Sequence, residues 1–553
     1  MSSEKILFPT RSYPYRYSTP PGEEGAEADD AAAAIRNLKL EAGRVYRFVL
    51  GLDSMPQPLP DEEVDALLRD PFARLLLRRK TFPLTLRNLL SALDAVNDKP
   101  EGLPQQKSFL VADGGQIRWT PETANVNRLL RIAIVRGRGS DVPLMISAST
   151  ALDSSEQFLQ LIAWDTDNAV YNFYERRGGT WLWAGNSQHA LLPDTRGQGP
   201  FDSHVNGSMV MKELRAPWNN WHSMNAHIRE DVLAPDDPLR NEPLFLNRVP
   251  AHELELGVVR PGIDRWNRAH LKKAKSPDQQ QFSDVRHFLR QVLETTTVNL
   301  VSSDQESRQV TDDAPLGLPT TFFLNTEALL DHIGLEPQIT PVSVTGRLYN
   351  ESLRRYDFTL TDGTYSQKGD TFFAFLVPEP AFEDISVLAL LLQQKVISPR
   401  FAACLLMIDF QNPIFSTSRR RLMAYVPETA RLMSASAGGV RSDLEATFVA
   451  ALEAKENLAP DSPEREFLAN WQLPETDWKR TFEKRIEDYF AHLKQKAETE
   501  KGFDGWVRLA ESRRREFRRR PLAEFRLTIP TTNIPLDAPT LTMKEDGSVA
   551  AMA

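Results

Sequence analysis

The stretch Phe158-Leu-Gln-Leu-Ile-Ala-Trp164, Asp165-Thr-Asp-Asn168, Ala169-Val-Tyr-Asn-Phe-Tyr-Glu175, Arg177-Gly-Gly179, Thr180-Trp-Leu-Trp183 decides the fold class. Its three apolar runs are rich in β-branched and aromatic residues. Short loops of Asp, Asn and Gly separate them, which is the pattern of consecutive hairpins. Upstream, Leu130-Arg-Ile-Ala-Ile-Val-Arg136 alternates with period two, and Val142-Pro-Leu-Met-Ile-Ser147 follows. Ser108-Phe-Leu-Val-Ala112, the Gly114-Gly115 pair and Gln116-Ile-Arg-Trp119 read as one more hairpin. Residues 105–185 are therefore expected to form an antiparallel sheet.

Outward from this sheet the period changes. Residues 36–100 read as helices: Asp61-Glu-Glu opens one with acids, and Val64, Leu67 and Leu68 fall at helical spacing. Leu84, Leu86, Leu89 and Leu90 continue the pattern over 83–95. Residues 281–297 place Val285, Phe288, Leu289 and Val292 on one helical face. A smaller β unit follows near 342–377, from Val342-Ser-Val-Thr-Gly-Arg-Leu-Tyr349, Arg355-Tyr-Asp-Phe-Thr-Leu360 and Thr371-Phe-Phe-Ala-Phe-Leu-Val377. From Pro378 to about residue 520 the chain reads as helix, and Glu524-Phe-Arg-Leu-Thr-Ile529 as one late strand before a Pro-broken tail. The fold class is α+β, with an antiparallel β-sheet in the N-terminal half and a mostly helical C-terminal half. Four regions are expected: an extended arm (1–35), a helical lead-in with the sheet and an irregular segment (36–300), the small β unit (301–380), and the helical region with its Pro-rich tail (381–553).

Composition sets the function classes. The 553 residues carry a net charge of −9, which disfavours a general nucleic-acid binder. One cysteine, Cys404, excludes an intrachain disulfide framework and any multi-Cys zinc site. The first ten residues lack a secretory apolar core, and Val387–Ile408 is broken by Gln393, Gln394, Lys395, Pro399 and Arg400. A cytoplasmic protein with neither nucleic-acid nor membrane partner is expected. In the arm, Tyr13, Tyr15 and Tyr17 alternate with prolines. It is either a mobile tail or a contact that builds a homo-oligomer.

The candidate site lies between Trp164 and His227, which holds five of the ten tryptophans and four of the nine histidines. The segment Arg196-Gly-Gln-Gly-Pro-Phe-Asp-Ser-His204-Val-Asn-Gly-Ser208 is long, irregular and rich in chemistry-bearing side chains, a combination usual in functional loops. His204, Glu213 and His222 are the candidate catalytic groups, and equally a two-His, one-carboxylate metal set. His222 and His227 are five apart, which sets them about 140° apart on a regular helix, so they do not share a metal from one. Haem held by one of these histidines is the alternative cofactor, in apolar surroundings supplied by Trp, Phe and Met. Arg196 is placed to orient an anionic small molecule, with Trp183, Trp218 and Trp221 as its walls. Trp181 and Trp183 alternate on one strand and so share a face, either an aromatic platform or sheet-face core. No phosphate loop, dinucleotide fingerprint, nucleophile elbow or His-Glu-x-x-His occurs.

Two basic runs remain. Ser416 or Ser418 caps a helix that begins with Arg419-Arg-Arg421, whose cations pair with acids or bind an anion. Arg513-Arg-Arg-Glu-Phe-Arg-Arg-Arg520 reads as the solvated, salt-bridged end of a helix. The expected function is an enzyme of small-molecule metabolism, a metal- or haem-dependent oxidoreductase in its sharpest form, with its site in 186–227. The alternative is a non-catalytic binding or assembly protein with an aromatic ligand face.

Overall fold

The computed structural model describes residues 40–112, 118–124, 130–139, 141–210, 230–278, 280–301, 310–362, 365–368, 377–434, 440–519 and 530–552. Two compact units emerge, one built from the chain up to Trp266 and the other from most of the chain from Asn267 on.

In the first unit eight strands form one sheet: β1 (Val45–Arg47), β2 (Gln57–Pro58), β3 (Gln105–Ala112), β4 (Leu130–Arg138), β5 (Asp141–Ser149), β6 (Leu159–Asp165), β7 (Val170–Arg177) and β8 (Thr180–Asn186). Their order is β2-β1-β8-β7-β6-β5-β4-β3. Strands β3 to β8 form an antiparallel meander, as the alternation requires. The turn between β6 and β7 is fixed by Asp165, whose Oδ1 accepts the Asn168 amide N–H at 2.8 Å. The sheet is mixed because β1 lies parallel to β8, pairing Val45 with Trp181 and Arg47 with Trp183. Pro143 falls at the register shift between Arg136 and Arg138, the kind of position where a strand tolerates proline.

The expected partner of the Phe109 strand was Gln116–Trp119. The sheet pairs it with β4, so that Phe109 lies opposite Ala133, while Gly114, Gly115, Gln116 and Ile117 lie outside the described residues. Trp119 is outside any strand and donates its amide N–H to the Asp231 carbonyl.

Both faces of the sheet are covered. On one, Leu161, Ala163, Tyr174, Trp181 and Trp183 meet the apolar sides of helices Asp61–Leu67, Pro71–Leu75 and Leu86–Asp94. On the other lie Tyr171 and Phe173. Phe201 packs edge-on against Phe173 with ring centroids 5.3 Å apart. The Tyr171 hydroxyl donates to the Gly262 carbonyl at 3.0 Å. The helical run that supplies Gly262 widens to a π turn over Glu255–Val259, just ahead of Pro261, which has no N–H to close an α turn.

Helices Val285–Leu293, Gly346–Arg355, Phe382–Gln393, Pro399–Leu406, Leu444–Glu453, Pro463–Trp471, Trp478–Ala497 and Glu500–Arg519 dominate the chain after residue 280. Short ladders join Val298–Val301 to Val377–Pro380, Pro315–Gly317 to Ser343–Thr345, and Leu541–Met543 to Val549–Ala551. The run Val342–Tyr349, expected as a strand, is strand only over Ser343–Thr345. There Thr345 turns its hydroxyl oxygen to the Leu348 N–H and starts a helix that buries Leu348, Tyr349, Ser352 and Leu353. No helix among the described residues is long and apolar enough to cross a membrane. The Val387–Ile408 run is divided between two buried helices, with Cys404 in the second, its thiol pushed up to about 12 by burial.

The basic run 513–520 is not solvated along its length. Arg513, Arg514 and Arg515 are buried. Arg514 donates twice to Glu511 Oε2, at 2.6 and 2.9 Å, and lies over the Phe358 ring. Arg513 donates to the Phe322 carbonyl at 2.5 Å. Arg515 gathers the carbonyls of Pro535, Leu536, Ala538 and Pro539 at 2.7–3.3 Å. The salt bridge is found at Arg514, while Arg513 and Arg515 take backbone carbonyls, which no charge pattern reveals.

Candidate functional site

The site segment begins where β8 ends. Asn186 caps the turn Ser187–Ala190, accepting the Gln188 N–H at 3.0 Å, while His189 Nδ1 meets the Asn186 N–H at 3.2 Å, a reciprocal capping box. His189 faces the Trp183 ring edge-on, with centroids 5.5 Å apart. Burial, and then the charge of Arg47, pull its ring below the ordinary imidazole range, with Asp53 opposing. The Thr195 hydroxyl donates to the His189 carbonyl and ties down the turn that carries Arg196. Arg196 is half-buried there, ahead of Gly197, whose φ is +74°.

His204 follows a 3-10 turn, Gly199–Asp202, and rests on the Phe173 ring at 5.3 Å. Its Nδ1 lies 2.8 Å from the Ser208 carbonyl oxygen. A carbonyl only accepts, so Nδ1 carries the hydrogen, and in the neutral ring the lone pair is on Nε2. Gly207 lets the chain reverse at this point. Its φ is +75°, and a Cβ there would lie 2.5 Å from the Ser187 carbonyl oxygen.

Trp183 is 2% exposed and Trp181 0%; both are core. Their indole N–H groups donate to buried acceptors, Trp183 to Asn172 Oδ1 at 3.0 Å and Trp181 to the Pro83 carbonyl at 2.9 Å. Trp183 therefore supports the loop through His189 from below, and the Trp181/Trp183 face is filled by the sheet's own core. Glu213, Trp218, Trp221 and His222 lie outside the described residues, as do residues 1–35. The described residues bring His204, Phe201 and Phe173 together, with His189 and Trp183 nearby through Gly185, whose Cβ position would touch both Phe201 and His189. Among the described residues no three His, Cys, Asp or Glu side chains are grouped to hold a metal ion.

One feature escaped the sequence. Asp70, Asn172 and Tyr174 form a buried polar cluster under Trp183. Its signals were present. Asn172 and Tyr174 sit two apart on a strand, so both point into an apolar face, and Asp70 precedes Pro71 as an N-cap precedes a first-turn proline.

A separate cavity of about 620 Å³ opens beside β1 and β2. Its cations are engaged, Lys80 with Asp61 and Arg78 with Asp65 at 3.1 Å on the rim, and Arg44 with Glu41 at 3.0 Å.

No protein-family model matches the chain, and comparison with curated proteins and with solved structures finds no match.

Proposed function

We propose that the protein is an enzyme of small-molecule metabolism whose site is built from residues 186–227, with His204 as its acid–base group or ligand-donating imidazole. The single observation that carries this reading is the tautomer of His204. With Nδ1–H committed to the Ser208 carbonyl, Nε2 bears the lone pair that a general base or a metal ligand needs, and the Phe173 ring fixes its orientation. In the metal-dependent oxidoreductase form His222 and Glu213 would complete the ligand set with His204, and in the haem-dependent form one of these histidines would hold the iron. Arg196 orients an anionic substrate, and Trp218 and Trp221 wall it.

Metal analysis with an ultraviolet–visible spectrum of the purified protein is the first test, repeated on His204→Gln. The expected result is a stoichiometric metal or a haem band in the parent. In the variant that signal is lost while the melting temperature stays within a few degrees. A variant that keeps the full signal removes His204 from the site. One that only unfolds assigns the ring to the core.

A further inference from the structure

Asp70 is fully buried at the start of helix Pro71–Leu75. Its Oδ1 accepts the Ala73 N–H at 3.1 Å. Its Oδ2 accepts from Asn172 Nδ2 at 2.9 Å and from the Tyr174 hydroxyl at 2.5 Å. Asn172 Oδ1 in turn accepts the Trp183 indole N–H at 3.0 Å. An indole nitrogen only donates, so the Asn172 amide must show its oxygen to Trp183 and its NH₂ to Asp70. Turning the amide over would set donor against donor at Trp183 and acceptor against acceptor at Asp70. The titratable groups facing Asp70 are Tyr174 on β7 and Asp165 at the end of β6, with Arg78 acting on Tyr174. Arg47 and Asp53 act on His189 at the far end of the chain. No Lys or Arg among the described residues hydrogen-bonds to Asp70.

We infer that Asp70, Asn172 and Trp183 form a proton-responsive relay, through which the ionisation of one buried carboxylate sets how firmly the site loop is anchored. The Asn172–Asp70 bond is charge-assisted while Asp70 is ionised, roughly twice the strength of a neutral bond. When Asp70 takes up a proton, Tyr174 can turn its hydroxyl to accept it, whereas Asn172 cannot reverse. Asn172 then donates to a neutral acid, and the polarisation it lent to the Trp183 bond falls with it. Trp183 meets His189, so the change arrives at the root of the loop that goes on to His204. Burial pushes the Asp70 carboxyl up to about 6, against the hydrogen bonds from Tyr174, Ala73 and Asn172, so the step falls close to neutrality. The bearing on His204 rests on the function proposed above; the relay itself does not.

The test is an indole ¹⁵N titration of the full chain, with the Trp183 cross-peak identified by its loss in Trp183→Phe. The Trp183 peak is expected to move with a midpoint at about 6 and to stand still in Asp70→Asn. In Tyr174→Phe the midpoint should rise, because the Tyr174 bond favours the carboxylate. A Trp183 peak that does not titrate, or titrates equally in Asp70→Asn, overturns the relay. If Asp70→Asn does not fold, an unchanged midpoint in Tyr174→Phe overturns it instead. No ligand enters the measurement, so a failure at His204 leaves the outcome untouched.

Discussion

Asp70, Glu175 and Asp384 are buried carboxyls raised by desolvation, to about 6, about 7 and about 7 respectively. Their folded values lie above their ordinary ones, so between the two the native chain holds more protons than the unfolded chain. The stability they contribute is complete below the ordinary carboxylate range and is lost as pH rises through 6 to 7. His189 works in the opposite sense, its ring being held below the usual imidazole range. The three acids outweigh the single imidazole, and stability should fall on going from about pH 5 to about pH 7.5. Urea midpoints at the two pH values check this; a midpoint that is equal or higher at the upper value contradicts it. At this scale the sequence was partly legible. It singled out His204 from its setting, but the Ser208 carbonyl that selects the tautomer belongs to a chain reversal no composition reveals. It placed Trp181 and Trp183 on one face correctly but left open what covers that face. Arg515 was misread because its acceptors are four carbonyls twenty and more residues away.

Among the elements, caps and turns decide more than propensity. Thr345 converts a β-like run into a helix with one side-chain bond, so Thr345→Ala should cost about 0.5–2 kcal/mol, read as a drop in melting temperature. Gly207→Ala should cost more than a neutral surface change, because the left-handed φ and the Ser187 carbonyl both oppose a Cβ. The sensitive readout is faster hydrogen exchange of the Gly207 amide, which donates to the His204 carbonyl across the reversal. Unchanged exchange would show that the reversal tolerates a side chain. The meander was legible where local chemistry writes it, as in the Asp165 turn. It was less legible for β3, whose partner β4 lies further along the chain. The three-residue β1 left no periodic trace: one edge pairs locally with β2, and the other pairs with β8, far along the chain.

At the scale of the molecule, the last residues belong to the core of the second unit. Trp506 donates its indole N–H to the Gly547 carbonyl at 2.9 Å. Asn412 exchanges two bonds with the Met543 backbone, each at 3.0 Å. Arg515 ends on carbonyls of 535–539. Deleting residues 530–553 would strand these buried donors, each at a cost of about 1–3 kcal/mol and more for the guanidinium. Such a chain should fail to melt cooperatively in the second unit by calorimetry, while one that melts like the parent would show the tail to be dispensable. The parallel seam has a consequence of another kind. Val45–Arg47 is made 136 residues before β8, the strand it pairs with in parallel. At about 5–20 residues per second of synthesis, this short piece waits on the order of ten seconds for its neighbour. Strands β3 to β8 can zip in order as they emerge, each onto the one before. The sheet is thus completed backwards, its earliest-born strand joining the meander among the last, and the growing chain must keep the edge that β2 leaves open out of other company until β8 arrives.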